Sequence, residues 1–190
     1  MPTVTRGWLV LTAAVSLVAG CHKPPETPEQ VYQKLERAIA AGDAGTFYDC
    51  LDQKTKKSIE GTWRTQQLER TIISGKYPEA EAGPALARLE AAAADSPRAY
   101  FVKLAGERHT VEGYRKRIGS VSGPIKTKPD GDQAIWVARQ DGMPVHFVKD
   151  EGGSWRFPEL GVEWALEEDK ASHAVQTVRE NAALYEKAAH

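Results

Sequence analysis

The segment Gln133-Ala-Ile-Trp-Val-Ala-Arg-Gln-Asp-Gly-Met-Pro-Val-His-Phe-Val-Lys-Asp-Glu-Gly-Gly-Ser-Trp-Arg-Phe157 carries the clearest strand signature in the chain. Asp141-Gly142 separates two runs of alternating polarity, the signal for a two-residue hairpin turn whose residues take positive φ. Glu151-Gly-Gly-Ser154 marks a second turn, and Pro129-Asp-Gly-Asp132 a third just upstream. Strands are therefore expected over 133–140, 143–149 and 155–157. A turn at Asp141-Gly142 sets Gln140 opposite Met143, Ala138 opposite Val145, Trp136 opposite Phe147 and Ile135 opposite Val148. Strand side chains alternate faces, so Trp136, Ala138, Val145 and Phe147 share one face, extended by Trp155 and Phe157. That face is the expected core side.

Upstream the periodicity is helical. Thr27-Pro28-Glu29-Gln30 combines a capping hydroxyl, a proline at the first helical position and a glutamine three residues on. Val31, Leu35 and Ile39 then form one apolar stripe, and Gly42 ends the helix. Asp43 caps a second short helix carrying Phe47, Tyr48 and Leu51. A longer, polar-rich helix follows, with Ile59, Trp63, Leu68 and Ile72 expected inward and an end near Gly75. An alanine-rich helix is expected over about Pro84–Ala94, and Ser96-Pro97 repeats the cap-plus-proline signal before Tyr100–Leu104. The stretch 107–117 is helical by composition but interrupted by Gly113.

Downstream, from Val162, the chain reads as helix almost to its end. Ala171, Val175, Val178, Ala182, Tyr185 and Ala189 are spaced as a heptad seam of mostly small residues. Such a seam buries little area, so it is expected to pack on its own domain rather than on a partner helix.

The first residues have a different character. Arg6 precedes Gly7–Ala19, an uncharged apolar run too short to span a bilayer, which needs about 20 residues. The run ends in Val18-Ala19-Gly20-Cys21, which resembles the lipobox of bacterial lipoproteins. The resemblance implies removal of residues 1–20 and acylation of Cys21 through its thiol, the strongest side-chain nucleophile. Loss of Arg6 shifts the formal charge from −1 to −2. Two or three acyl chains, at about 0.8 kcal/mol per buried methylene, hold a protein on a membrane stably. His22 stands where an Asp, in the lipoprotein sorting rule, retains a protein at the inner membrane, so the rule favours the outer membrane, periplasmic face. His22-Lys-Pro-Pro-Glu-Thr-Pro28 then reads as an extended tether lifting the domain ~20 Å.

Composition narrows the remaining classes. The chain suffices for one domain with a core. Its 25 basic and 26 acidic residues nearly balance, and the basic run Arg115-Lys116-Arg117 suits a solvated helix face, so nucleic acid is not an expected partner. With Cys21 acylated, Cys50 is the single remaining cysteine, which rules out an internal disulfide. Its apolar helical surroundings mark it as a small buried residue.

Helices followed by an antiparallel meander give an α+β order. Thr27-Pro-Glu-Gln-Val-Tyr-Gln-Lys-Leu-Glu-Arg-Ala-Ile-Ala-Ala-Gly-Asp-Ala-Gly-Thr-Phe-Tyr48 and Val145–Phe157, with its Gly-x-Trp, together resemble the NTF2-like (cystatin-like) superfamily and its small bacterial lipoproteins. The resemblance covers under a quarter of the chain. It implies N-terminal helices packed on a curved antiparallel sheet around a cone-shaped pocket, here with an additional long C-terminal helix. The expected organisation is a signal peptide over 1–20, a tether over 21–28, the α+β domain over 29–161 and the helix over 162–190.

No catalytic constellation emerges from the residues. His146 lies on a strand, on the face away from Trp136 and Phe147, without a carboxylate partner. Asp169/His173 and His109/Glu112 have two-ligand helical spacing, which more often forms a weak ion pair than a metal site. Gly119-Ser-Val-Ser-Gly123 has Val where a nucleophile elbow needs Ser. The expected site residue is thus Cys21 for lipid attachment, with no catalytic, cofactor or metal residues. The expected function is a noncatalytic envelope lipoprotein whose partners are the membrane and an envelope protein or small apolar ligand. The alternative is a pocket enzyme of the isomerase or dehydratase kind, which a polar, open cone would favour.

Overall fold

The computed structural model describes residues 25–118, 126–127, 133–137 and 144–188. Cys21, the signal segment and Ala189 lie outside them. Helix α1, Pro28–Ala41, starts as its sequence dictates. Thr27 accepts from the Gln30 amide, the Gln30 side chain accepts from the Thr27 amide at 2.9 Å, and Gly42 closes the helix at φ 67°. Asp43 caps α2, Ala44–Cys50, at the Thr46 amide. Asp52 caps α3, Gln53–Lys76, a helix of 24 residues. Helix α4, Glu79–Ala87, is followed by a 3-10 turn over Glu90–Ala93. Ser96 caps α5, Pro97–Glu107, and two single turns follow: α6, Thr110–Gly113, and α7, Arg115–Ile118.

Two helical expectations change. The alanine-rich segment is not one helix over 84–94: α4 starts before it and ends at Ala87, with Pro84 inside, where the missing N–H removes one helical bond. Leu68, expected inward, is 42% exposed, whereas Thr55, Ile59, Thr62 and Ile73 are buried. These residues face α8, Gly161–Ala188, a helix of 28 residues.

Strands β1 (Lys126–Thr127), β2 (Gln133–Val137), β3 (Pro144–Lys149) and β4 (Trp155–Arg156) form an antiparallel meander in that order. Only β2 and β3 pair over more than two residues. Trp136 lies opposite Val145 and Ala134 opposite Phe147, so the register is slipped by two from the expected one. A slip of two keeps every residue on its face, because the strand period is two. Val145 and Phe147 are accordingly buried. The side chain of Trp136 and the residues 138–143 lie outside the described set.

The chain is mostly helical, and the expected class, helices packed on a curved antiparallel sheet, does not hold. Two of the four strands are only two residues long, and the longest elements are α3 and α8. Nor is there a cone among the described residues. The space beside β3 and β4 is filled by Phe47, whose ring lies 6.2 Å from Phe101, 5.5 Å from Tyr114 and 5.9 Å from Phe157. Phe147, Tyr32 and Trp164 complete this core. The Tyr32 hydroxyl donates to the Ile118 carbonyl, closing its far side.

Helices α3 and α8 run side by side in the same direction. Thr55 abuts Gly161, a Cβ on Gly61 would collide with the Glu168 carboxylate, and Tyr77 meets Tyr185 at 4.9 Å. The α8 seam of Ala171, Val175, Val178 and Ala182 is buried in this pairing, so it docks within its own domain. Its small residues let the two backbones approach closely.

Candidate functional site

The far half of this helix pair, with α4 laid against it, encloses a groove of about 620 Å³. That volume is in the range of small-molecule sites. Its floor is the apolar cluster Ile73, Ala85, Leu89 and Val178, separate from the main core. Tyr77 and Tyr185 close one end edge to face, and the Tyr77 hydroxyl reaches the Val178 carbonyl at 3.5 Å. Lys76 pairs with Glu186 at 2.8 Å just outside, holding the two helix ends together.

Glu69 is the polar group of interest here. It sits on the α3 face that looks onto α8, about one helical turn before Ile73, and lines the groove partly buried. Burial pushes its carboxyl above the ordinary value, and the charge of Arg88 across the groove only partly opposes this. Among the described residues it makes no hydrogen bond or ion pair within 4 Å. Glu167, at the other end, is instead committed. Burial would raise its pKa, but hydrogen bonds from Lys170 and Arg108, both 3.0 Å, hold it below the ordinary value. The groove therefore offers an apolar floor, an aromatic end and the partly buried carboxylate of Glu69, opposed only at a distance by Arg88, with Glu81 also on its lining.

The residues singled out from the sequence do not converge there. His146 is half-buried on β3, opposite Ile135 rather than Val137, and its backbone amide donates to Glu159. Asp169 and His173 are exposed on α8, with 3.7 Å between His173 Nδ1 and the carboxylate. His109 sits in a left-handed turn at φ 51° before α6. Among the described residues no three His, Cys, Asp or Glu side chains group as a metal site, and no helix is long and apolar enough to cross a membrane. Cys50 is buried, and burial pushes its thiol up to about 11, far from the thiolate needed for reaction.

Glu69, Tyr77 and Arg88 were not legible as site residues. A heptad count along α3 from Thr55 would have placed Glu69 on the seam, but the seam is polar at that point and gives no hydrophobic signal. Of the groove residues only Tyr185 and its α8 neighbours were marked by spacing. No family model matches the chain, and neither a curated protein nor a solved structure does.

Proposed function

We propose that this chain is a membrane-anchored cell-envelope lipoprotein whose domain is a noncatalytic binding module, with the groove between α3, α4 and α8 as its ligand surface. The anchor rests on Val18-Ala19-Gly20-Cys21 following an uncharged apolar run, with Cys21 as the lipid-attachment residue and the outer membrane, periplasmic face, as its place. The binding role is carried by one observation: a partly buried carboxylate, Glu69, faces a groove with an apolar floor and has no cation within ion-pair distance, Arg88 across the groove only partly offsetting its burial. A buried charge is stable only when paired, so the groove suits a small apolar ligand bearing a cationic group.

Two measurements test the two halves. Fractionation of cells expressing the wild type and Cys21→Ser should show the wild type in the membrane fraction and the variant accumulating as precursor. Equal membrane retention of a processed Ser variant overturns the anchor. For the groove, octylammonium and octanoate serve as probes, read by NMR shifts at Asn181 and Tyr185 in the chain from residue 22. Octylammonium should shift these signals and octanoate should not, and both Glu69→Gln and Ala174→Trp should abolish the response. Absence of a response to octylammonium, or equal responses to the two probes, overturns the binding site.

A further inference from the structure

The segment that follows the proposed anchor is not a free leash. Glu26 is held on three sides by the β3–β4 hairpin: its carbonyl accepts from the Trp155 amide at 3.1 Å, its amide donates to Ser154 Oγ at 3.3 Å, and its carboxylate takes Arg156 Nη1 at 2.8 Å. Arg156 is itself fixed by Asp150 at 3.0 Å through Nε, and Lys34 of α1 approaches Glu26 at 3.6 Å. All of Glu26, Arg156 and Asp150 are about four-fifths buried, at 21–22% side-chain exposure. Ion pairs sharing partners in one half-buried network hold better than isolated surface pairs, whose median worth is close to nothing. Pro25 packs 3.8 Å from the position of a Cβ on Gly153, continuing the contact to the edge of the hairpin turn.

The clamp sits at one end of the long axis. Phe157, the residue after β4, exchanges backbone hydrogen bonds with Cys50 and Asp52 at the start of α3, at 2.8 and 3.1 Å. From Gln53 the helix climbs ~1.5 Å per residue, so Glu69 lies ~24 Å and Tyr77 ~36 Å along the axis from that end. Only four residues lie between Cys21 and Glu26, and the five steps from one to the other reach at most ~17 Å fully extended. That reach is shorter than the helix pair.

We infer that the clamp on Glu26 makes the β3–β4 turn the bilayer-facing end of the domain and directs the groove of α3, α4 and α8 away from the lipid surface. This rests on the anchor reading above and takes it further. The ~20 Å lift expected of a tether running to Pro28 is correspondingly shortened, because Glu26 and Thr27 belong to the folded domain. A ligand site held distal to the membrane is open to the periplasmic solution and not to lipid.

The test attaches the chain, from Cys21 onward with Cys50→Ala, to maleimide-bearing lipid in phosphatidylcholine vesicles, so it does not depend on lipidation in cells. A donor dye is placed at an azide-bearing residue in the position of Glu151 or of Lys187, and energy transfer to a headgroup acceptor is measured. Transfer from 151 should exceed that from 187 by roughly threefold or more, as the ~40 Å length of α8 implies. Glu26→Ala and Arg156→Ala should each bring the two values together. Equal transfer in the unsubstituted chain means the domain lies flat and overturns the inference. A difference that survives both substitutions overturns the role of the clamp. Equal membrane retention of a processed Cys21→Ser variant in cells would sink the anchor while leaving this measurement unaffected.

Discussion

Replacing Phe47 by Ala should cost the domain a large part of its stability. Phe47 is fully buried and its ring contacts those of Phe101, Tyr114 and Phe157, so it joins α2, α5, the α6–α7 region and the strand end in one cluster. Truncating a buried Phe to Ala removes the transfer energy of the ring and leaves a cavity, together about 3–5 kcal/mol. A domain holds only 5–15 kcal/mol in all, as an order of magnitude. With a urea dependence of about 2 kcal/mol per molar, the midpoint should fall by about 2 M. Phe47→Leu keeps most of the volume and should lose about 1–1.5 kcal/mol. Leu68→Ala is the informative control: at 42% exposure it should change stability by less than about 1 kcal/mol, although helical periodicity in the sequence marks it as inward. Urea melts followed by far-UV circular dichroism on the chain from residue 22 decide. A Phe47→Ala loss below about 1 kcal/mol, or a Leu68→Ala loss above it, would refute the filled core and the orientation of α3.

Deleting residues 168–190 removes the α8 seam and uncovers Ile73 and Leu89, so the truncated chain should melt lower or aggregate. An unchanged melting temperature, with a dimer turning to a monomer by light scattering, would show that the helix serves a partner instead. Glu69 gives a pH signature. Burial raises its folded-state pKa above the ordinary 4.5, so the folded state holds the proton more tightly than the unfolded state, and stability falls as pH rises from 4.5 through the folded pKa. Glu69→Gln should therefore be more stable than the wild type near neutral pH, with the gap closing below 4.5; a gap that is the same at both pH values contradicts the desolvated carboxylate.

Much of the local structure was legible because it is decided by near neighbours in sequence. Thr27 with Gln30, Asp43, and Ser96 with Pro97 set helix starts through hydrogen bonds three residues long, and each appears where spacing placed it. The stripe of Val31, Leu35 and Ile39 is buried as its period requires, and Val145 and Phe147 share the core face although their partners on β2 differ from expectation. A face needs only the parity of the strand; a register needs the geometry of the turn, and here Val137 pairs with Pro144 where the expected register set it opposite His146.

What tertiary structure alone decided is which face of α3 goes inward, and with it the groove and the balance of helix over sheet. The buried side of α3 is Thr55, Ile59, Thr62 and Ile73, half of it polar, and hydrophobic periodicity cannot find a polar seam. Thr62 donates its hydroxyl to the Ser58 carbonyl at 2.8 Å and Gln66 accepts from Tyr100 at 3.0 Å, while Thr55 Oγ1 is buried against Gly161 of α8 with no hydrogen-bond partner among the described residues. The small α8 residues that let α3 approach lie about a hundred residues away in sequence, so the groove exists only once α8 has folded back alongside α3, which is why Glu69 could be read as a groove carboxylate only from the assembled helices.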